Sequence, residues 1–263
     1  GSLTFTPASG AAQSFPAPTP DHPLTIPGLV TVYAGRHVTR HSGTGALATA
    51  FALRVDVLAT GTRVRVARSH AELHEGLTGG IFSGRAAATH VVTAGGDIAR
   101  SGPNPLLVMP CEGSYGKVRE KSLASVDLGG QLVVKGAHSS DRGSQTADGA
   151  RGMSRADVAR VELGGGQVVV NAIVGKASVV RRGHHVTMSA TGTRLAGVTV
   201  AGQQQNFPRT GVLEIPGVAK LERGVVTRSH GEISVIGLRI TLLDGSGAVV
   251  NLAEATLRIR PLS

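Results

Sequence analysis

An antiparallel all-β fold, a sandwich or flattened barrel built from repeated hairpins with little helix, is what this sequence predicts. Three observations carry that expectation. No long stretch has helical periodicity; apolar residues recur at every second position or in short β-branched runs. Glycine makes up 37 of the 263 residues and often falls in pairs between those runs, where turns need it. And one hairpin pattern occurs twice. Ala124-Ser125-Val126-Asp127-Leu128-Gly129-Gly130-Gln131-Leu132-Val133-Val134-Lys135 returns as Ala159-Arg160-Val161-Glu162-Leu163-Gly164-Gly165-Gly166-Gln167-Val168-Val169-Val170. Each copy is an alternating segment, a glycine turn and a β-branched run, which reads as a hairpin. Duplicated neighbouring hairpins are expected to pair in one sheet. A solenoid is the alternative, disfavoured because two copies do not make an array.

The composition agrees. The chain is long enough for a sizeable core. Its hydrophobic residues, 41%, are mostly Val, Leu and Ala, with no Trp and only five Phe and two Tyr. Small aliphatic side chains suit thin β layers better than bulky helical packing.

In chain order, residues 1–28 are rich in Ala, Ser, Pro and Thr and are expected to be a disordered linker. Residues 29–263 form the all-β domain, and 101–121 is the natural seam should it divide into halves. Strands are expected at Leu29–Tyr33 and Ala46–Ala59. After a turn at Thr60-Gly61-Thr62 comes Arg63-Val64-Arg65-Val66, with the valines on one face and the arginines on the other. Ala86–Thr93 is the next strand. Residues 101–117 read as a long loop in which only Leu106–Met109 can pair. The twin hairpins follow. Between them Ser139–Ser154, rich in Gly, Ser and Asp, is expected to be a mobile surface loop, with one helical turn starting at Ser154-Arg155-Ala156-Asp157. Further strands are expected at Val186–Ala190, Leu195–Ala201, Val212–Ile215, Val218–Leu221, Ile233–Leu243 and Ala248–Ile259. Asp244-Gly245-Ser246-Gly247 turns between the last two.

Leu195-Ala196-Gly197-Val198-Thr199-Val200-Ala201-Gly202, then Val212-Leu213-Glu214-Ile215-Pro216-Gly217-Val218, then Ile236-Gly237-Leu238-Arg239-Ile240-Thr241-Leu242 form a recognisable succession. Preceded by the twin hairpins, it resembles the choice-of-anchor P family of actinobacterial secreted proteins. The likeness covers Ser122 to Ile259. Ala201 departs from the family's usual asparagine, Glu222-Arg223 from its Asn-Glu, and Cys111 is alone where members often carry several cysteines. The resemblance implies a secreted or cell-surface location and says little about activity.

Charge bounds the partners. Lys+Arg exceed Asp+Glu by 27 to 17, a net charge of +10, which suits a polyanionic partner. Two clusters stand out: Arg63, Arg65 and Arg68, and Arg181-Arg182. The scarcity of aromatic side chains argues against a specific nucleic-acid reader, which needs stacking platforms. A cell-envelope polymer or another surface protein is the expected partner. No stretch is long and apolar enough for a transmembrane helix.

For chemistry, His70-Ala71-Glu72-Leu73-His74 is the sharpest candidate. On a strand the two imidazoles and the carboxylate share a face, the donor set of a zinc site with an open position. A polar outward face explains the same alternation. His184-His185 sit on opposite faces of any strand and do not share a metal. Cys111 cannot form an internal disulfide, and Glu112 beside it disfavours the thiolate. No nucleophile elbow, phosphate loop or calcium loop is present, and no cofactor is expected. The reading is therefore a non-enzymatic extracellular structural or adhesive protein, with a metal-dependent secreted hydrolase using His70, Glu72 and His74 as the alternative.

Overall fold

The computed structural model describes residues 1–6, 11–42, 45–74, 79–93, 101–146 and 149–261, and leaves aside the side chains of residues 42 and 72–74. Among these, the only helix is a single three-residue 3-10 turn, Gly164–Gly166; everything else regular is antiparallel strand. The chain divides into two compact units, Gly1–Gly76 and Leu77–Ser263. The division falls well before residues 101–121, where the sequence suggested a seam.

The first unit begins with strand structure where a linker was expected. β1 (Ser2–Phe5) pairs with β2 (Gln13–Pro16). A four-stranded sheet then runs in chain order: β3 (Leu24–Ile26), β4 (Val30–Ser42), β5 (Gly45–Val57) and β6 (Thr62–His74).

The second unit is a sandwich. One sheet starts with β7 (Ile81–Thr93) and β8 (Asn104–Val108) and ends with β16 (Val212–Ile215), β17 (Ala219–Ser229), β18 (Glu232–Leu242) and β19 (Val249–Arg260), in the order β16-β17-β18-β19-β7-β8. The other holds the twin hairpins: β9 (Arg119–Asp127) with β10 (Leu132–Thr146), and β11 (Gly149–Leu163) with β12 (Val168–Arg182). They are neighbours in one sheet, as their duplication predicted. β13 (His185–Ser189) and β14 (Arg194–Val200) share the far edge of β12, and β15 (Gln203–Gln205) follows β14.

Within the expected loop Ser139–Ser154, residues 139–146 and 149–154 are strand. β10 and β11 run through it in unbroken register, Ser139 opposite Ala156 and Gly143 opposite Gly152. Its small residues are there because the layers close tightly. A Cβ on Gly152 would lie 2.8 Å from the Phe82 ring, and one on Gly143 would lie 2.9 Å from Gly113. Ser139 is buried and donates to the Pro105 carbonyl at 2.7 Å. Ser154–Asp157 is strand rather than the start of a helix.

A row of small residues crosses every large sheet. In the first unit it is Gly35, Ala52 and Ala67; in the twin-hairpin sheet, Ala124, Gly136, Ala159, Ala172 and Ala196; in the third sheet, Gly224, Gly237, Ala253 and Ala88. These facing positions are the ones the pairing skips. On every second strand the row residue has positive φ: Gly35, Ala67, Gly136, Ala172, Gly224 and Ala253. Left-handed backbone swings the Cβ toward the adjacent strand, so neighbours must be small; a Cβ on Gly136 would stand 2.8 Å from that of Ala159. Past the row, side-chain alternation resumes one residue out of step. In β18, Ile233 and Val235 face inward before it, and Leu238, Ile240 and Leu242 after it. The sandwich core accordingly falls into two clusters. One is built around Leu132, Val170, Leu238 and Leu252, the other around Phe82, Val179, Val235 and Leu257.

Candidate polyanion-binding face

Six arginines gather on one face of the sheet β3–β6. Register places Thr31, Asp56 and Arg63 side by side, then Tyr33, Arg54 and Arg65, then Arg36, Phe51 and Arg68, then Val38, Thr49 and His70. Strict alternation would set Arg68 on the face opposite Arg63 and Arg65. The positive φ of Ala67, 51°, shifts the phase by one residue and returns Arg68 to the same side. Contacts across the row agree: the Arg65 guanidinium lies 5.2 Å over the Phe51 ring, and that of Arg36 lies 5.1 Å over Tyr33. The three arginines of the sequence cluster thus share one surface. Arg36, Arg40 and Arg54 extend it, and the sequence reading missed them. Their signal was present in the alternation of Leu53-Arg54-Val55-Asp56-Val57, but the phase shift at Gly35 and Ala52 hid the union of the two halves.

Asp56 organises part of this face. Arg54 Nε donates to it at 2.8 Å and Arg63 Nε at 2.9 Å. The hydrogen bonds from Arg54, joined by those from Arg63, hold its carboxyl far below the usual carboxylate range. Tyr33 is clasped by two guanidiniums, Arg36 and Arg54, the latter at 4.8 Å, a cation–π stack that keeps long side chains extended on the sheet. Among the described residues no carboxylate pairs with Arg36, Arg40, Arg65 or Arg68, and all four are exposed. Strand geometry spaces such charges about 5 Å across the sheet and about 7 Å along it.

The second basic cluster borders a basin on the twin-hairpin sheet. Arg181 lies opposite buried Ala150 and donates from Nη1 to the Gly79 carbonyl at 2.7 Å, so its guanidinium holds backbone. Arg181, Arg182 and Arg151 all line a shallow basin at the ends of β10–β12, with Ser144 and Thr146. Arg151 Nε donates to Ser144 Oγ at 3.1 Å.

Residues 70, 72 and 74 occupy alternate positions on β6, opposite Thr49, Leu47 and Gly45. His70 Nδ1 lies 2.9 Å from Thr49 Oγ1. The side chains of Glu72 and His74 lie outside the described residues. Among the described residues no group of three His, Cys, Asp or Glu side chains is arranged to hold a metal ion. His185 begins β13 and His184 lies in the turn before it, both exposed. Cys111 is half-buried, its thiol donating to Glu112 Oε2 at 3.2 Å, and its carbonyl accepts from Phe82 N at 2.8 Å.

One polar cluster had no sequence signal. Glu254, on β19 just past the small-residue row, accepts from Arg85 Nη2 at 2.6 Å and Asn251 Nδ2 at 3.3 Å, and lies 2.9 Å from His90 Nδ1. Burial pushes its carboxyl up, but the bonds from His90 and Arg85 outweigh that and hold it low. It ties β7 to β19.

Among the described residues no helix is long and apolar enough to cross a membrane. Comparison with known proteins places no neighbour beside this geometry: no family model, no curated protein and no solved structure matches the chain.

Proposed function

We propose that this is a non-enzymatic extracellular protein with a structural or adhesive role at the cell envelope, which holds a polyanionic surface polymer on the arginine face of β3–β6. The observation that supports this reading is the convergence of Arg36, Arg40, Arg54, Arg63, Arg65 and Arg68 on one side of a sheet, where Asp56 and, farther along β6, Glu72 are the acidic positions. A linear polymer with regularly spaced phosphates or carboxylates meets several guanidiniums at once. Guanidiniums suit both groups, because their planar fork offers paired donors. Two aromatic rings under the arginines stiffen the surface without the open stacking platforms that single-strand nucleic-acid readers use. The extracellular setting rests on the resemblance of residues 122–259 to secreted proteins.

Co-sedimentation with isolated cell wall, and titration with polyphosphate and with a polyuronate, test the reading. Binding is expected at low ionic strength and is expected to fall steeply as salt rises. A protein that stays in solution with all three polymers at low salt overturns it.

A further inference from the structure

The two units contain the same four-stranded sheet. Leu24-Thr25-Ile26-Pro27-Gly28 corresponds to Leu213-Glu214-Ile215-Pro216-Gly217, and Leu53-Arg54-Val55-Asp56-Val57-Leu58 to Leu238-Arg239-Ile240-Thr241-Leu242-Leu243. Strand order agrees, β3-β4-β5-β6 against β16-β17-β18-β19. So do the positive-φ positions: Gly28 at 73° and Gly217 at 69°, Gly35 at 60° and Gly224 at 61°, Gly61 and Gly247 both at 65°, Ala67 at 51° and Ala253 at 54°. Even the turn hydrogen bonds match. Leu29 N to Ile26 O is 3.1 Å and Val218 N to Ile215 O is 3.0 Å; Leu58 N to Leu29 O is 2.8 Å and Leu243 N to Val218 O is 3.0 Å.

The copies differ in what covers them. In β16–β19 the inward residues Leu221, Leu238, Ile240, Val250 and Leu252 are all fully buried by the facing sheet. Their counterparts in the first unit are Val32, Leu53, Val55, Val64 and Val66. Of these only Val32 is buried, while Val64 is 46% and Val66 49% exposed. Val32 is also the sole buried hydrophobic side chain among the described residues of the first unit.

We propose that the apolar face of β3–β6 packs against the same face of a second copy of this chain, closing a sandwich across a twofold axis. Three features select that occupant. The face is graded: Val30, Val32, Leu53, Val55, Val57, Val64 and Val66 lie on one side of the small-residue row; on the other, β5 and β6 carry Ala46, Ala48, Ala50, Ser69 and Ala71, and the edge strand β4 carries the exposed His37, Thr39 and His41. A twofold axis sets the bulky half of each copy on the small residues of β5 and β6 of the other, the large-on-small fit of a packed core, with the polar residues of β4 along its rim. The face measures about 40 Å by 15–20 Å, on the order of the 800 Å² per partner that stable complexes bury. And pairing along the open edge of β6 is disfavoured, because it would set Arg63, Arg65 and Arg68 beside their own copies. The face-to-face dimer instead leaves both arginine faces outward.

Sedimentation equilibrium of the whole chain is the test, on the native protein, on Val64→Asp with Val66→Asp, and on Arg65→Ala. The native chain and the arginine variant are expected to be dimeric at micromolar concentration. The aspartates are expected to weaken association tenfold or more. Val66→Thr, which keeps a β-branched residue in the strand, is expected to weaken it in the same direction with strand circular dichroism unchanged. A monomeric native chain overturns the proposal, whatever else covers the face. So does a dimer indifferent to Val66→Thr and to the aspartates. Neither result bears on polymer binding by the opposite face, which Arg65→Ala reports separately.

Discussion

Single side chains carry the sharpest consequences. Arg65 and Arg68 are exposed, stand on the face proposed to hold the polymer, and pair with no carboxylate among the described residues. Replacing both with Ala is expected to cost about 1 kcal/mol per charge in affinity for an anionic polymer, and to flatten the salt dependence. Unchanged polyphosphate titration would remove the face from consideration. Asp141 bears on pH. Its side chain is fully buried; Arg119 Nε stands 3.3 Å away, yet neither carboxylate oxygen accepts a hydrogen bond, and the hydroxyl of Ser154, its register partner, also lacks one. Burial raises its pKa from 3.8 to about 6, with Arg119 opposing. Below pH 4 both folded and unfolded forms are protonated and nothing is lost. Between pH 4 and 6 the unfolded chain gives up the proton while the folded one keeps it, so stability falls as pH rises, by up to about 3 kcal/mol. Asp141→Asn is expected to abolish that fall. Urea denaturation at pH 4 and pH 7.5 checks it, and an equal fall in the variant would show that other groups cause it. Cys111→Ser is expected to leave folding and polymer binding intact and to remove only a disulfide-linked dimer, seen on non-reducing gels.

At the scale of elements, the sequence made the strands and turns legible and hid their phase. Alternation in Arg63-Val64-Arg65-Val66 and the paired glycines of the twin hairpins are local signals, and the structure follows them. The small-residue rows are not local signals. Ala67 looks like any strand alanine, and only its positive φ, matched by small residues on neighbouring strands, moves Arg68 across the sheet. Ser139–Ser154 misled for a related reason, since Gly and Ser there permit close layers rather than turns. The duplicated sheet was obscured by unequal hairpins: Gly35 to Ala52 spans more residues than Gly224 to Gly237, so no single offset aligns the copies. The metal alternative rests on spacing alone, which sets residues 70, 72 and 74 at alternate positions of β6; the side chains of Glu72 and His74 lie outside the described residues. The rows predict where the fold is least tolerant. A Cβ on Gly175 would sit 1.8 Å from the Ala253 carbonyl oxygen, a backbone atom of the opposite sheet that cannot swing away. Gly175→Ala is expected to destabilise the sandwich by about 3 kcal/mol or more. Ala172→Gly, at an exposed row position with φ 49°, is expected to be neutral or stabilising by up to about 1 kcal/mol. Thermal melts of the pair separate a tight crossing from a merely tolerated one.

For the whole molecule the contrast between the two copies of one sheet sets the distribution of stability. In residues 77–263 the buried side chains form two contiguous clusters between the sheets. In residues 1–76 the strands are as long and as regularly paired, but neither cluster includes a residue from them. Hydrogen-bonded strands without a covered apolar face are marginal on their own, because net stability comes mainly from burial. Amide exchange in β4–β6 is therefore expected to be fast in dilute protein and to slow as concentration rises, since association supplies the missing cover. Exchange in β10–β12 and β18–β19 is expected to be slow and independent of concentration. Hydrogen-exchange mass spectrometry at two concentrations a hundredfold apart reads both units in one experiment. Equal, concentration-independent protection of β4–β6 and β18–β19 would mean that the first sheet is already covered within one chain, and would sink the account of its open face.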